Sequence, residues 1–101
     1  MRLGERERTV IRDAVRACFG EDAVVYLYGS RTDDARRGGD IDLYIETRLP
    51  FGEAFDARTR LALLLQERLG EQKIDILVRY AGMEGDPAAI YRVARENGIR
   101  I

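Results

Sequence analysis

Three aspartates are the residues of this sequence whose type and spacing best fit a catalytic role. Asp40 and Asp42 flank Ile41, and Asp75 lies further along, in an apolar segment. Residues two apart on a β-strand point to the same face, roughly 7 Å apart along the chain, so Asp40 and Asp42 can converge on one divalent cation. Magnesium prefers hard oxygen ligands of this kind. For these two acids alone, a solvated sheet face is an equally good interpretation.

Asp75 favours the metal-binding interpretation. A carboxylate in the middle of a central strand is costly unless it is paired or binds a cation. If its strand lies beside that of Asp42 with matched faces, Asp75 joins the two earlier acids, and their mutual repulsion favours a bound cation. Two cations held in this way form a clamp for in-line displacement at phosphorus. The alternative is that Asp75 is a surface acid on an edge strand.

Gly29-Ser30 directly follows a predicted strand and could contact a phosphate. A glycine at a strand end lets the backbone approach a ligand closely. Free N–H groups at a turn that opens a helix point toward an anion, and the Ser30 hydroxyl is a further donor. Without the aspartates, an ordinary turn would be the better interpretation of this pair.

Basic residues lie near both groups. Arg31, Arg36 and Arg37 are candidate phosphate contacts from sequence proximity alone, and solvated loop charges explain at least two of them better. Lys73 alternates onto the face of Asp75 and could contact a phosphate or neutralise that acid.

Composition excludes several classes of function. The chain has 101 residues, no histidine and one cysteine, which excludes histidine-based zinc sites, triads and general bases. Cys18 falls on the apolar face of a predicted helix, where a small buried hydrophobe is expected. A net charge of -1 argues against direct nucleic-acid binding. The chain also lacks an apolar run or signal region for a membrane, so we expect a single cytoplasmic domain over residues 1–101.

Hydrophobic periodicity predicts the elements that position these residues. In the second strand the aliphatic residues alternate with Asp42, Tyr44 and Glu46, which share the opposite face. The second helix is predicted to bury Phe55 on its inner face, together with Ala62, Leu65 and Leu69. We therefore expect a two-layer α+β fold, with helices packed on one face of a small mixed sheet. The predicted helices are Glu5–Phe19, 53–69 and 87–97, and the predicted strands are 23–28, 40–46, 73–79 and 99–101.

The combined pattern resembles the DNA polymerase beta nucleotidyltransferase superfamily, specifically its minimal nucleotidyltransferase branch. Gly29-Ser30, nine intervening residues, Asp40-Ile41-Asp42 and a later Asp75 occur in the family's order and on the expected elements. The resemblance covers essentially the whole chain. The commonest family form has a serine before the first aspartate, where this chain has Gly39; we expect that difference to cost one hydrogen bond at most.

The resemblance implies a role for each motif residue. Asp40 and Asp42 would hold two magnesium ions, and Asp75 would bind the catalytic ion and help to deprotonate an acceptor hydroxyl. The residues implied to seat the triphosphate of ATP are Gly29, Ser30 and Arg31.

The resemblance also implies a partner. Proteins of this branch typically pair with a helical ribonuclease toxin of the HEPN type and silence it by adding AMP to a tyrosine. We therefore expect an antitoxin that forms a hetero-oligomer with such a toxin. Three alternatives remain: an antitoxin that acts by binding alone, a nucleotidyltransferase for small molecules, and a metal-dependent nuclease that uses the same carboxylates.

Overall fold

The computed structural model describes residues 4–28, 41–70, 73–83 and 98–101. The described elements are α1 (Glu5–Phe19), β1 (Val24–Tyr28), β2 (Ile41–Pro50), α2 (Phe51–Leu69), β3 (Ile74–Ala81) and β4 (Ile99–Arg100). Three groups of predictions lie outside the described residues: the motif residues Gly29, Ser30, Arg31 and Asp40, the candidate phosphate contacts Arg36 and Arg37, and the helix over residues 87–97.

Helix α1 has the bounds that periodicity predicts. Its buried residues recur at helical spacing and form one apolar stripe. The helix ends at Gly20, where φ is 99° and the amide donates to the Arg16 carbonyl at 3.0 Å. A glycine adopts this positive φ without the steric penalty of a side chain. The buried residues of α1 are Ile11, Ala14, Val15 and Phe19.

The four described strands form one mixed sheet in the order β3-β2-β1-β4. Strand β1 pairs antiparallel with both β2 and β4, whereas β2 and β3 are parallel. Parallel strands need a crossover connection, and α2 lies in the chain between these two. The predicted mixed sheet and its short last strand are therefore confirmed.

One face of the sheet packs against both described helices, which confirms the two-layer α+β architecture. Ile41, Leu43 and Ile45 of β2 are each 0% exposed and form the centre of this core. The alternation of β2 predicts which of its residues are buried there, because side chains of successive residues point to opposite faces. The other strands and the helices complete the core with Ile11, Ala14, Val15, Phe19, Val25, Leu27, Ala57, Leu61, Leu65 and Ile76.

Helix α2 corrects two predictions. It begins at Phe51, two residues before the predicted start, because Pro50 ends β2 and serves directly as the N-cap residue. Phe55 is 55% exposed, so its predicted place on the inner face is wrong. The buried stripe runs instead through Ala54, Ala57, Leu61 and Leu65, which turns Phe55 toward the side of the helix. Neither described helix combines the length and the apolar character that crossing a bilayer requires.

Strand β3 lies at an edge of the described sheet, so the expectation of a central strand around Asp75 is wrong. Asp75 is exposed. Its carboxylate therefore stays in contact with water, and the cost of burial gives no argument for a bound cation. The alternation within β3 is nevertheless as predicted, because Ile76 is buried in the core and Asp75 points to the other face.

Cys18 has the structural role that the sequence predicts. It is partly buried and packs against the core. Burial raises the pKa of its thiol, and nearby Arg60 and Arg68 oppose that effect. A raised pKa lowers the thiolate fraction, so Cys18 is poorly suited to nucleophilic chemistry.

Candidate functional site

Strand pairing brings Asp42 and Asp75 side by side. They are register partners in the parallel β2–β3 pair. Neighbouring strands lie roughly 5 Å apart, and register partners point to the same face of the sheet. The amide of Ile41 donates to the Lys73 carbonyl at 2.8 Å and fixes this register at the first residues of both strands. The two carboxylates consequently project together from the face opposite the helices.

This acid pair lies at one end of the sheet. Tyr28, the last residue of β1, is the register partner of Asp42 across the antiparallel pair. Strand β1 therefore ends where β2 and β3 begin. In the sequence, Gly29 follows Tyr28 directly, and Asp40 precedes Ile41 directly.

Of the six predicted site residues, the structure describes Asp42 and Asp75 and brings them together. In the described ranges no group of three His, Cys, Asp or Glu residues could hold a metal ion, and these ranges contain only two of the three predicted acids. The predicted roles of the other four motif residues stay predictions.

The acid pair suits a magnesium ion chemically. Two carboxylates on adjacent strands repel each other, and a divalent cation offsets this repulsion. Their oxygens are the hard ligands that magnesium prefers, and the exposure of Asp75 leaves room for water and substrate oxygens around an ion. Lys73 is exposed next to the start of β3, so its predicted contact with a phosphate or with Asp75 stays a prediction.

A tyrosine cluster adjoins the acid pair on the same sheet face. Tyr44 follows Asp42 by two residues, is only 1% exposed, and donates from its hydroxyl to Oε2 of Glu46 at 2.9 Å. Burial and the Glu46 carboxylate raise the pKa of Tyr44 to about 12, while Arg79 acts in the opposite direction. Arg79 is the register partner of Glu46 on β3. These contacts tie β2 to β3 close to the acids.

Strand β1 contributes to the same cluster. The rings of Tyr26 and Tyr44 stack with centroids 5.7 Å apart and an angle of 28° between their planes. Tyr26 is the register partner of Tyr44, so the stack links β1 to β2 two residues from the Tyr28–Asp42 pair. Sequence reasoning missed this cluster. Alternation placed Tyr44 and Glu46 on the face of Asp42, but only the strand register brings Tyr26 and Arg79 to them.

Comparison of the sequence with models of protein families and with curated proteins finds no match. The case for a function therefore depends on the motif in the sequence and on the geometry of its described residues. That geometry is an acid pair at one end of the sheet, next to the stacked rings of the buried Tyr44 and the half-buried Tyr26.

Proposed function

We propose that this chain is a magnesium-dependent nucleotidyltransferase that transfers AMP from ATP to a protein hydroxyl. The acceptor in this proposal is a tyrosine of a HEPN-type ribonuclease toxin, and the chain is the antitoxin of the pair. The proposal combines the resemblance of the motif with the geometry of Asp42 and Asp75.

The pairing of Asp42 with Asp75 is the observation that carries the proposal. The two acids are far apart in sequence, yet they are direct register partners on one face of the sheet. A nucleotidyltransferase of this kind needs its later acid beside the Asp-x-Asp pair. An unrelated sheet with acids on its solvated face has no need for such a match, and like charges directly opposite each other destabilise it.

The acids have distinct roles in the proposed reaction. Asp42 and Asp75, together with Asp40, would hold the magnesium ions, which when bound neutralise charge on the triphosphate. The Asp75 carboxylate accepts the proton of the acceptor hydroxyl. The hydroxyl oxygen forms a bond to the α-phosphorus, and the bond from that phosphorus to pyrophosphate breaks. Catalysis of this type consists mostly of positioning and charge neutralisation, so a small domain is sufficient.

The exposure of Asp75 supports a macromolecular acceptor. Asp75 lies on the edge strand of the described sheet and is exposed. A side chain presented by another protein can reach an exposed carboxylate on a sheet face more readily than one in a deep cleft.

The experiment is an intact-mass measurement of a HEPN-type partner protein after incubation with the chain and Mg-ATP. We expect a mass gain of one or more AMP units. Asp42→Asn removes a charge that the site needs, so this variant should give no gain. Asp13→Asn is the matched control, because Asp13 is an exposed acid on α1, in the helical layer behind the sheet.

Three outcomes would contradict the proposal. Equal AMP transfer by the Asp42→Asn variant would remove the acid pair from catalysis. No transfer by the unchanged chain, with a stable complex still formed, would favour an antitoxin that acts by binding alone. Cleavage of nucleic acid without any nucleoside triphosphate would instead indicate a nuclease.

Ser30→Ala tests the proposed phosphate contact separately. Loss of one hydroxyl donor should raise the KM for ATP by about ten- to a hundredfold, a smaller effect than the loss of transfer expected for Asp42→Asn, because a hydrogen bond to a charged group contributes about 1.5–3 kcal/mol. The measurement is the KM for ATP. An unchanged KM would remove Ser30 from the phosphate site without affecting the assignment of the acids.

A further inference from the structure

The outer edge of β3 has unused backbone hydrogen-bonding capacity in the described sheet, where β3 pairs only with β2. The Lys73 carbonyl accepts a hydrogen bond from the Ile41 amide. The backbone N–H and C=O groups of odd-numbered residues in β3 therefore point toward β2. Those of the even-numbered residues 74–78 therefore point outward. The Ile76 carbonyl accepts a bond from Nε of Arg58 at 3.0 Å, as expected of an outward group, and a carbonyl oxygen has a second lone pair.

Within the described residues, this edge lacks two of the usual protections against pairing, a short strand and a proline. Edge strands are normally short, or carry proline, bulges or charged side chains, and the β2–β3 pairing is irregular between Glu46 and Pro50, opposite Arg79 and Ala81. Strand β3 has eight residues and contains no proline, and its side chains toward the helices are apolar. Among the described contacts, Arg58 covers the Ile76 carbonyl.

An aromatic groove of about 210 Å³ lies between α2 and this edge. Phe51 and Phe55 are 61% and 55% exposed on its helical side. The ring of Phe51 contacts Tyr80 of β3 edge-on, with centroids 5.3 Å apart. Large exposed aromatic side chains next to an open strand edge are typical of a protein–protein contact.

We propose that the occupant of this edge is a second copy of the chain, which pairs antiparallel through β3 about a two-fold axis at Leu77. The described sheets of the two copies would then form one continuous sheet. In this register Asp75 lies opposite Arg79 of the second copy, and the symmetry repeats the pair. Opposite charges on directly opposed residues stabilise an antiparallel pair.

Charge selects this register over its neighbours. The outward N–H and C=O groups of the two copies can bond to each other only when even-numbered residues lie opposite even-numbered residues. One copy can therefore slide along the other only in steps of two residues. A shift in one direction places Lys73 opposite Arg79 of the second copy, which opposes like charges. A shift in the other direction places Asp75 opposite Ala81 and leaves Arg79 opposite Leu77. Of these three registers, only the one centred on Leu77 opposes acid to base.

The helical side of the same register is apolar. Ile76 lies opposite Val78 of the second copy, and Ile74 lies opposite Tyr80. Aromatic and β-branched pairs of this kind stabilise antiparallel strands. Phe51 and Phe55 lie next to these pairs, so the second copy would cover them. The inference shares Asp75 with the proposed function, but it is argued from strand geometry and charge, and its test measures assembly and not AMP transfer.

The first measurement is the mass of the full chain in solution by light scattering, with twice 11.5 kDa expected. The register is tested with Leu77→Cys in a Cys18→Ala background. Leu77 on the axis is a non-hydrogen-bonded pair with Cα atoms about 4.5 Å apart, which suits a disulfide. Mild oxidation should give a covalent dimer rapidly. Lys73→Cys in the same background is the control, because the two copies of that position would lie about 26 Å apart.

Val78→Pro independently tests the backbone hydrogen bonds between the β3 strands of the two copies. Proline removes an outward N–H, and an edge strand tolerates this change because the group does not bond to β2. We expect the dissociation constant of the dimer to rise at least tenfold, with the circular dichroism spectrum unchanged. A monomer mass for the unchanged chain at high micromolar concentration would overturn the inference, as would equal cross-linking of the two cysteine variants.

Discussion

The two faces of the sheet use the same strands for different purposes. The face toward the helices is aliphatic and closed, with Ile41, Leu43 and Ile45 each 0% exposed. The opposite face places Asp42 beside Asp75 and, further along the strands, builds a hydrogen-bonded tyrosine cluster. A strand with a period of two can therefore specify the fold with one set of residues and the candidate site with the other. The two sets should respond differently to substitution.

The largest loss of stability is expected on the closed face. Leu43→Ala should lower the free energy of unfolding by about 2–5 kcal/mol, because it removes buried methyl groups and leaves a cavity. Urea denaturation followed by circular dichroism measures this change. A loss below about 1 kcal/mol would contradict the assignment of Leu43 to a tightly packed core.

Tyr44→Phe is expected to have a smaller effect. It keeps the ring and its stack on Tyr26 but removes the hydroxyl that donates to Glu46. We expect a loss of about 0.5–1.5 kcal/mol at neutral pH, the usual contribution of one hydrogen bond. The same denaturation measurement applies. An unchanged stability would mean that water replaces the hydroxyl at no cost.

The difference in the free energy of unfolding between the unchanged protein and the Tyr44→Phe variant should depend on pH. The folded protein holds the phenolic proton up to about pH 12, compared with an ordinary value of 10.0, mainly because Tyr44 is buried. The protonated hydroxyl therefore contributes its full stability below about pH 10, and this contribution is lost as the pH rises through about 12. The variant should lack this loss. The difference in the free energy of unfolding that the two proteins show at neutral pH should therefore become smaller as the pH rises from about 10 to about 12. If the free energy of unfolding changed with pH in the same way for both proteins, the raised pKa of Tyr44 would be contradicted.

The smallest change in stability is expected for Asp42→Asn. The substitution relieves repulsion with Asp75 and keeps a polar side chain of the same size, so the free energy of unfolding without magnesium should change by less than about 1 kcal/mol. Leu43→Ala, at the neighbouring position, is the matched comparison. A loss as large as that of Leu43→Ala would mean that Asp42 is a structural residue.

Local pattern predicted the parts of this molecule that depend on local physics. The periodicity of α1 and the alternation of β2 are fixed by the burial of one face, and both are confirmed. The prediction that Asp75 lies beside Asp42 depends on the pairing of their two strands with matched faces, and this pairing is present.

The errors come from non-local structure. The edge position of Asp75 depends on strand order, which periodicity within one strand does not encode. The apolar spacing predicts Phe55 on the inner face of α2, whereas the small residues Ala54 and Ala57 are the ones buried there. The burial of Tyr44 on the polar face was missed because its ring stacks on Tyr26 of another strand, which alternation within β2 does not encode.

The crossover between β2 and β3 has a consequence for the order of folding. Parallel strands cannot form through a tight hairpin, so Asp42 meets Asp75 only after the chain containing all of α2 has closed into a loop. Contacts that depend on such closure form slowly compared with local ones. The repulsion between the two acids is thus absent from the early, locally ordered chain and arises when the native state completes. Relieving it should slow unfolding more than it accelerates folding.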